Sequence, residues 1–297
     1  MNKPGISLLL PTRGRPSLVE RLLRSIAETT FQKDQVEVVL YVDEDDVGSH
    51  RLDSDVIKVT RIIGPRASMG TYNSICYEAA KGDIIILVND DMVIRTQGWN
   101  EKIIEFDANI SDKIYLAYGN DCFKKRSICT FPILPRRTCE LLVEPYPREY
   151  QGAFIDYHLF DIFKRLQHAR FDRIHYMPHV VFEHLHYRAG KAPFDETYRN
   201  RGRFVDDSIF LALRNSRQQS ADRLVQILRG DESRAACRPE RSSTKMASDS
   251  FFKAIVTLTR DVLFDCGLPL RWRFYLWVWF VGRYMARQEM LRPFILQ

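Results

Sequence analysis

The feature that most restricts the fold is an alternation in the first 120 residues, where short β-branched runs take turns with helix-periodic stretches. Ile6–Leu10, Val36–Tyr41, Ile57–Ile63 and Ile84–Val88 are short, apolar and bounded by polar residues, as strands are. Ser17–Thr29 places Leu18, Leu22 and Ile26 at helical spacing, and Pro16-Ser17 is a fitting start for that helix. Thr71–Ala80 reads as a second helix, stopped by Lys81-Gly82-Asp83. Strands alternating with helices need crossover connections. The expectation is therefore an α/β fold, Rossmann-like, with a mostly parallel central sheet flanked by helices.

Further along, helical patterns fall near Asn100–Phe106, at Asp156–Gln167 and at Asp207–Arg229. Ile114–Tyr118 reads as a strand and Val180–His186 as an extended segment. Gly230–Ser250 is polar and rich in Ser, Arg and Glu, the composition of a linker or mobile loop. Helical patterns resume at Phe251–Phe264 and Trp272–Met290. The expected division is an α/β domain over residues 1–205 and a helical, basic C-terminal extension over 206–297.

With 45% apolar and 28% charged residues, the composition is that of a globular protein and excludes a disordered chain. No stretch reaches the roughly 18 apolar residues that a membrane span needs. The apolar run near the start, Ile6–Leu10, is short for an export-signal core, and the six cysteines contain no CxxC pair. These features lead to the expectation of a cytoplasmic protein with reduced, partly buried thiols. The net charge of +6 is uneven: residues 1–200 hold 27 Lys+Arg against 28 Asp+Glu, and residues 201–297 hold 17 against 10. That imbalance favours an anionic partner for the C-terminal third, such as nucleic acid, an acidic glycan or a lipid head group; a solvated basic face is the alternative.

In an open parallel sheet, ligands bind at the carboxyl ends of the strands. Here the four expected strands end in Pro11-Thr12-Arg13-Gly14-Arg15, Asp43-Glu44-Asp45-Asp46, Gly64-Pro65-Arg66 and Asn89-Asp90-Asp91. Arginines mixed with carboxylates along one edge suit a site that handles phosphate and a cation together. No G-x-G-x-x-G follows any strand, which counts against a dinucleotide site. Mg²⁺ or Mn²⁺ is held by one or two carboxylates plus phosphate oxygens, and it stabilises the charge that develops on a departing diphosphate. Asp90 and Asp91 are placed to divide ribose and metal between them. Asn-Asp-Asp also suits a plain strand-ending turn.

Taken together, Leu8-Leu9-Leu10-Pro11-Thr12-Arg13-Gly14-Arg15-Pro16, Val39-Leu40-Tyr41-Val42-Asp43-Glu44-Asp45, Met69-Gly70-Thr71-Tyr72-Asn73 and Ala79-Ala80-Lys81-Gly82-Asp83 resemble the opening of GT-A-fold, family-2 glycosyltransferases of phage and bacterial type. Asn89-Asp90-Asp91 stands where that family has its D-x-D, and the match covers about residues 6–95. The resemblance implies a nucleotide-sugar donor, a UDP-sugar in first place, and Mn²⁺ or Mg²⁺ as cofactor. Its implied donor-site residues are Thr12, Arg13, Asp43, Arg66, Asn73 and Asp90. Because Asn89 replaces the first acid, Asp91 is left with most of the metal binding.

Glu183-His184-Leu185-His186, followed by Gly190-Lys191 and Asp195-Glu196-Thr197-Tyr198, resembles a segment of phage-type members, in which a C-terminal histidine completes the metal site. His184 is the first choice and His186 the second, both on one face of an extended segment. Lys191 is then placed for the diphosphate. Two half-buried, hydrogen-bonded histidines are the alternative. Gly152-Ala153-Phe154-Ile155-Asp156 resembles the motif that supplies the catalytic base. That makes Asp156 the candidate to deprotonate the acceptor hydroxyl in an inverting reaction, with Asp161 behind it. An Asp there also caps a helix well, and a retaining reaction stays open.

Trp272, Trp277 and Trp279 lie within eight residues, among Arg271, Arg273, Phe274, Tyr275, Phe280, Arg283 and Tyr284. Such an aromatic-basic helix can pack as core, lie on a membrane surface, or face nucleic acid with aromatics available for stacking. The phage-type resemblance brings in a specific acceptor, a hydroxymethylated base in DNA, which an enzyme must flip out to reach. A cell-envelope glycan or lipid is the other acceptor class. The rival functions are a sugar-phosphate nucleotidyltransferase and a non-catalytic nucleic-acid-binding protein on a decayed transferase fold.

Overall fold

The computed structural model describes residues 5–193, 202, 204–231 and 251–288. Asp195-Glu196-Thr197-Tyr198 and most of the expected linker at 230–250 lie outside these residues.

Eight strands form the centre: β1 (Ile6–Thr12), β2 (Val36–Asp43), β3 (Lys58–Gly64), β4 (Ile84–Leu87), β5 (Met92–Ile94), β6 (Leu116–Asn120), β7 (Pro132–Pro135) and β8 (Ile174–His184). Their order is β3-β2-β1-β4-β7-β6-β8-β5. The β3-β2-β1-β4 half is parallel throughout, as the alternation predicts. β7 runs antiparallel to both β4 and β6, β8 runs parallel to β6, and β5 runs antiparallel to β8. Hence β1, β2, β3, β4, β6 and β8 all point the same way, and their carboxyl ends share one rim.

Helices cover both faces, and the side-chain alternation along each strand decides what lies on each. Ile6, Leu8 and Leu10 with Val38, Leu40 and Ile86 face one layer. There they meet α1 (Pro16–Thr29) through Val19, Leu22 and Ile26, and α3 (Trp99–Ala108) through Trp99 and Ile103. Leu9, Val39, Ile85 and Leu87 face the other layer. It contains α2 (Met69–Ala79), the short α4 (Arg136–Leu141) and α5 (Ile155–His168). Strands buried on both faces are apolar without alternation, which is why β1 and β4 read as unbroken runs.

The C-terminal helices stack on α5. They are α6 (Val205–Ala212), α7 (Arg214–Leu228), α8 (Phe251–Leu258) and α9 (Leu270–Arg287), with a π-helical turn at Thr259–Leu263 after α8. Phe210, Leu224, Leu258, Trp272, Leu276 and Phe280 belong to the same buried cluster as α5 and the sheet. A fold with a mostly parallel sheet, flanking helices and a helical C-terminal part is what the sequence led us to expect. The single helix expected over Asp207–Arg229 is two, divided between Ala212 and Arg214.

Beneath α9 lies a closed charge network. Asp161, fully buried on α5, accepts from Arg165 Nε at 3.1 Å and Arg217 Nε at 2.7 Å on one oxygen, and from the Trp272 indole at 2.9 Å on the other. Arg165 and Arg214 in turn bind Asp265 at 2.7 Å each. Burial alone would raise the Asp161 carboxyl, but Arg165 and Arg217 outweigh it and hold it below the usual range. Asp161 therefore ties α5 to α7 and α9, and its expected standby role as catalytic base is corrected: both its oxygens are spent inside the core. All five described cysteines are free thiols, and burial pushes Cys76 and Cys139 up to about 12. No helix among the described residues is long and apolar enough to cross a membrane.

Candidate active site

Parallel packing puts the ends of β1, β2 and β4 side by side, and their polar residues bind one another across the rim. The Thr12 hydroxyl, at the last position of β1, donates to Asp90 at 3.0 Å. Arg15, just beyond, donates to the other Asp90 oxygen at 3.0 Å. Asp90 is nearly fully buried, and burial raises its carboxyl above the ordinary range against the pull of Arg15. The charge on Asp90 is thus held in an unfavourable place by two neighbours from a single loop.

Asp43 ends β2 with its side chain fully buried. One oxygen takes the Tyr72 hydroxyl at 2.5 Å, and the other takes Arg13. Arg13 also makes a two-pronged pair with Asp45 at 2.7 and 2.8 Å, yet its side chain is 37% exposed. The guanidinium is therefore fixed in direction and open to solvent. Gly14, at φ +65°, lets the loop turn so that its amide reaches Asp46 at 2.6 Å. Arg66 is exposed on the loop after β3, and its field lowers the Asp45 carboxyl behind the larger effect of Arg13. Asn73 is buried on α2 and donates to the Met69 carbonyl at 2.9 Å, within its own helix.

Asp91 meets a histidine, and the device that joins them is β5. Met92 pairs with His184, Val93 with Glu183 and Ile94 with Phe182, so the chain leaving the acid cluster zips directly onto the end of β8. The Leu185 amide donates to the Asp91 carbonyl at 2.9 Å. His184 Nε2 then lies 3.2 Å from Asp91 Oδ2, with both side chains buried. His184 Nδ1 is buried with no hydrogen-bond partner among the described residues. The His186 ring lies 5.0 Å from that of His184 and stacks on Phe123, while its Nδ1 accepts from the Arg188 amide at 3.1 Å. Lys191 donates to Glu183 at 2.6 Å, which lowers the Glu183 carboxyl.

This pair is hydrogen-bonded in the structure, and the same two groups could also serve as neighbouring ligands of an octahedral divalent cation. Two neighbouring ligands at about 2.1 Å stand roughly 3.0 Å apart, close to the separation of Asp91 and His184. Oxygen and imidazole donors are ones that Mn²⁺ accepts. Among the described residues no group of three or more His, Cys, Asp or Glu side chains forms a metal cage. The remaining positions would fall to water or ligand oxygens, as is usual for Mg²⁺ beside phosphates.

Asp156 sits in the first turn of α5, part-exposed, with its carboxylate accepting its neighbour Tyr157's amide at 2.8 Å. The segment after β6 links it to the histidine side. The His184 amide donates to the Asp121 carbonyl at 3.0 Å, Thr130 donates to the Asp121 carboxylate at 2.7 Å, and the Cys129 thiol donates to the Asp156 carbonyl at 3.3 Å. The loop leading into α5 is fastened from two sides. Asp206 accepts the amides of Gln151, Gly152 and Ala153 at 2.7, 3.0 and 2.7 Å. Gly70 at the head of α2 donates to the Tyr150 carbonyl at 2.9 Å, and a Cβ at Gly70 would stand 1.9 Å from the Pro147 carbonyl oxygen.

The structure thus brings Thr12, Arg13, Asp43, Asp90, Asp91, His184 and His186 to one rim. Arg15, Tyr72, Asp121 and Asp206, to which the sequence assigns no role of their own, belong to the same network. Arg15 carried a signal, since it belongs to the same polar strand end as Thr12 and Arg13. Asp206 carried none, because its partners are backbone amides more than fifty residues away.

No protein-family model and no curated protein matches the sequence. Among solved structures, the chain is similar to the mannosyltransferase PcManGT from Pyrobaculum calidifontis, in complex with GDP-Man and Mn²⁺. The TM-score is 0.48 at 15% identity, over 80% of this chain and 67% of that one. It is also similar to TarS of S. aureus, with a TM-score of 0.49 at 14% identity over 90% of this chain, which spans about half (49%) of that chain. For TarS 1-349 in complex with UDP-GlcNAc, the TM-score is 0.45 at 13% identity, over 96% of this chain and 92% of that one.

Proposed function

We propose that the chain is a metal-dependent glycosyltransferase that moves a hexose from a nucleotide sugar, a UDP-sugar in first place, to a hydroxyl acceptor. The observation that carries this reading is the buried, hydrogen-bonded rim pair Asp91–His184, next to Asp90 gripped by Thr12 and Arg15. Within that pair His184 Nδ1 is left with no partner among the described residues, which is what makes the pair available to a ligand.

In this reading Asp91 and His184 hold Mn²⁺ or Mg²⁺, with His186 beside them. The ion, when bound, supplies the positive charge that a departing diphosphate requires. Thr12 and Asp90 form the ribose side. Arg13, aimed by Asp43 and Asp45, and Arg66 face the nucleotide, Asn73 supports the same pocket from α2, and Lys191 approaches the diphosphate. Asp156 accepts the proton of the acceptor hydroxyl as that oxygen attacks the anomeric carbon from the face opposite the leaving group, which inverts the centre. Asp206 serves this step as a positioning residue, because it fixes the loop that leads into α5, whose first turn carries Asp156.

The test is release of free nucleoside diphosphate from a panel of UDP- and GDP-sugars, with Mn²⁺, Mg²⁺ or chelator. Hydroxymethylated DNA and a cell-envelope extract are supplied as acceptors. The reading requires metal-dependent release from at least one donor, faster with an acceptor. Release of pyrophosphate from a nucleoside triphosphate and a sugar phosphate, with no turnover of any nucleotide sugar, would sink it.

A further inference from the structure

The last helix contradicts its own composition. Its three tryptophans are what the sequence offers to a partner, yet Trp272 is buried against Asp161, Trp277 donates to Thr259 at 3.0 Å, and Trp279 stacks on Tyr157 with ring centres 4.4 Å apart. The buried face of α9 is Trp272, Leu276, Phe280 and Tyr284, at i, i+4, i+8 and i+12. The opposite face is not polar. It carries Leu270, Phe274 and Val278, again four apart, at 69%, 57% and 48% exposure. The neighbouring α8 repeats the pattern: Ala254 and Leu258 are buried while Phe252 and Val256 are exposed.

Of the twelve large apolar side chains exposed among the described residues, seven lie between residues 252 and 278. Single exposed apolar residues need no explanation, but a helix with apolar rows on two opposite faces leaves one of them in water. The exposed charged side chains around this surface are basic: between 252 and 288 they are Lys253, Arg260, Arg271 and Arg287. Of the two acids of the segment, Asp265 is turned in onto Arg165 and Arg214, and Asp261 pairs with the exposed Arg260. At the first turn of α9, Arg271 and Lys164 line an open crevice of about 560 Å³ next to Leu270.

We propose that the outer face of α8 and α9 is a docking surface for an anionic lipid bilayer. The Leu270–Phe274–Val278 stripe enters the acyl boundary, Lys253 and Arg271 meet lipid phosphates, and the crevice beside Lys164 receives a head group. Apolar anchors ringed by cations, with the acids paired, form the pattern that binds such an interface in the membrane plane. The helices lie on the surface and do not cross it. A second copy of this chain is a poorer occupant, because a twofold pairing of this face would set like charges against each other.

The test is co-sedimentation of the full chain with vesicles of phosphatidylcholine alone and with vesicles containing an equal share of phosphatidylglycerol. The chain should pellet with the anionic vesicles and stay in solution with the neutral ones. Phe274→Asp and Leu270→Gln should each weaken the partition by about tenfold or more, and Arg271→Glu by a few-fold, all with unchanged melting temperature. Because these side chains are exposed, an unfolded Phe274→Asp would be judged through Leu270→Gln. Equal partition of wild type and both apolar variants would overturn the proposal. So would a wild-type chain that ignores anionic vesicles, or one that forms a dimer which Phe274→Asp dissolves.

Discussion

Two regions of the molecule bury carboxylates next to cations or imidazoles, and they do so in opposite ways. Around Asp161 every charge finds its match, although the neighbouring His158 Nε2 has no hydrogen-bond partner among the described residues: two arginines and an indole saturate one carboxylate, and the same Arg165 reaches on to Asp265. At the rim, burial pushes Asp90 up, Arg13 stays open to solvent, and His184 Nδ1 has no partner among the described residues. A closed network of this kind serves cohesion, whereas an incompletely matched one is prepared for something that arrives later. Buried charge alone does not mark a functional site; what matters is whether the protein completes it.

This contrast can be broken by substitution. The largest effect is expected from Asp91→Asn, which should lower nucleotide-sugar turnover by about a thousandfold or more while shifting the melting temperature little. Asp161→Ala should do the reverse. It leaves Arg217 buried without its carboxylate and Arg165 with the Asp265 carboxylate alone, and should cost about 3–5 kcal/mol in urea unfolding, with turnover per folded molecule retained. A stable Asp161→Ala chain would show that the network is not what joins α5 to α7 and α9.

Asp206→Ala lies between these extremes. Removing the acceptor of three loop amides should cost about 1–3 kcal/mol and lower turnover about tenfold, with UDP affinity unchanged. An equal loss in UDP affinity would place its effect on the donor side and not on Asp156.

The smallest effect is a pH slope. Burial holds His158 on α5 well below the usual histidine range, with Nδ1 hydrogen-bonded to the Tyr150 hydroxyl at 3.0 Å. Below about pH 6.5 the unfolded chain takes up a proton that folded His158 refuses, so stability should fall by about 1.4 kcal/mol per pH unit on acidification. Asp161 and Asp265, held below the ordinary carboxylate range, keep their contribution until the pH drops below about 4. His158→Gln should flatten the upper part of this slope, as read by urea unfolding at several pH values.

Much of this was legible beforehand, and the exceptions have physical causes. The first four strands and the helices between them announce themselves because β-branched runs and helical spacing are local signals. β7 was missed because prolines bound it at 132 and 135, and proline argues against a strand inside a sheet. β5 has only three residues, too few for any period, and yet it is what carries His184 to Asp91. Val180–His186 was anticipated as extended, but β8 begins at Ile174, six residues earlier. Spacing located the aromatic helix without showing which face was inside, since both faces are apolar and only the tertiary partner Asp161 selects Trp272.

The central claim is that Asp91 and His184 jointly hold a divalent cation, and Mn²⁺ titration followed by electron paramagnetic resonance in the presence of UDP tests it most directly. The account predicts one Mn²⁺ site per chain, with affinity at least about tenfold weaker in His184→Ala and weaker still in Asp91→Asn, while both variants keep the wild-type fold. Mn²⁺ affinity that is unchanged in both variants would contradict it.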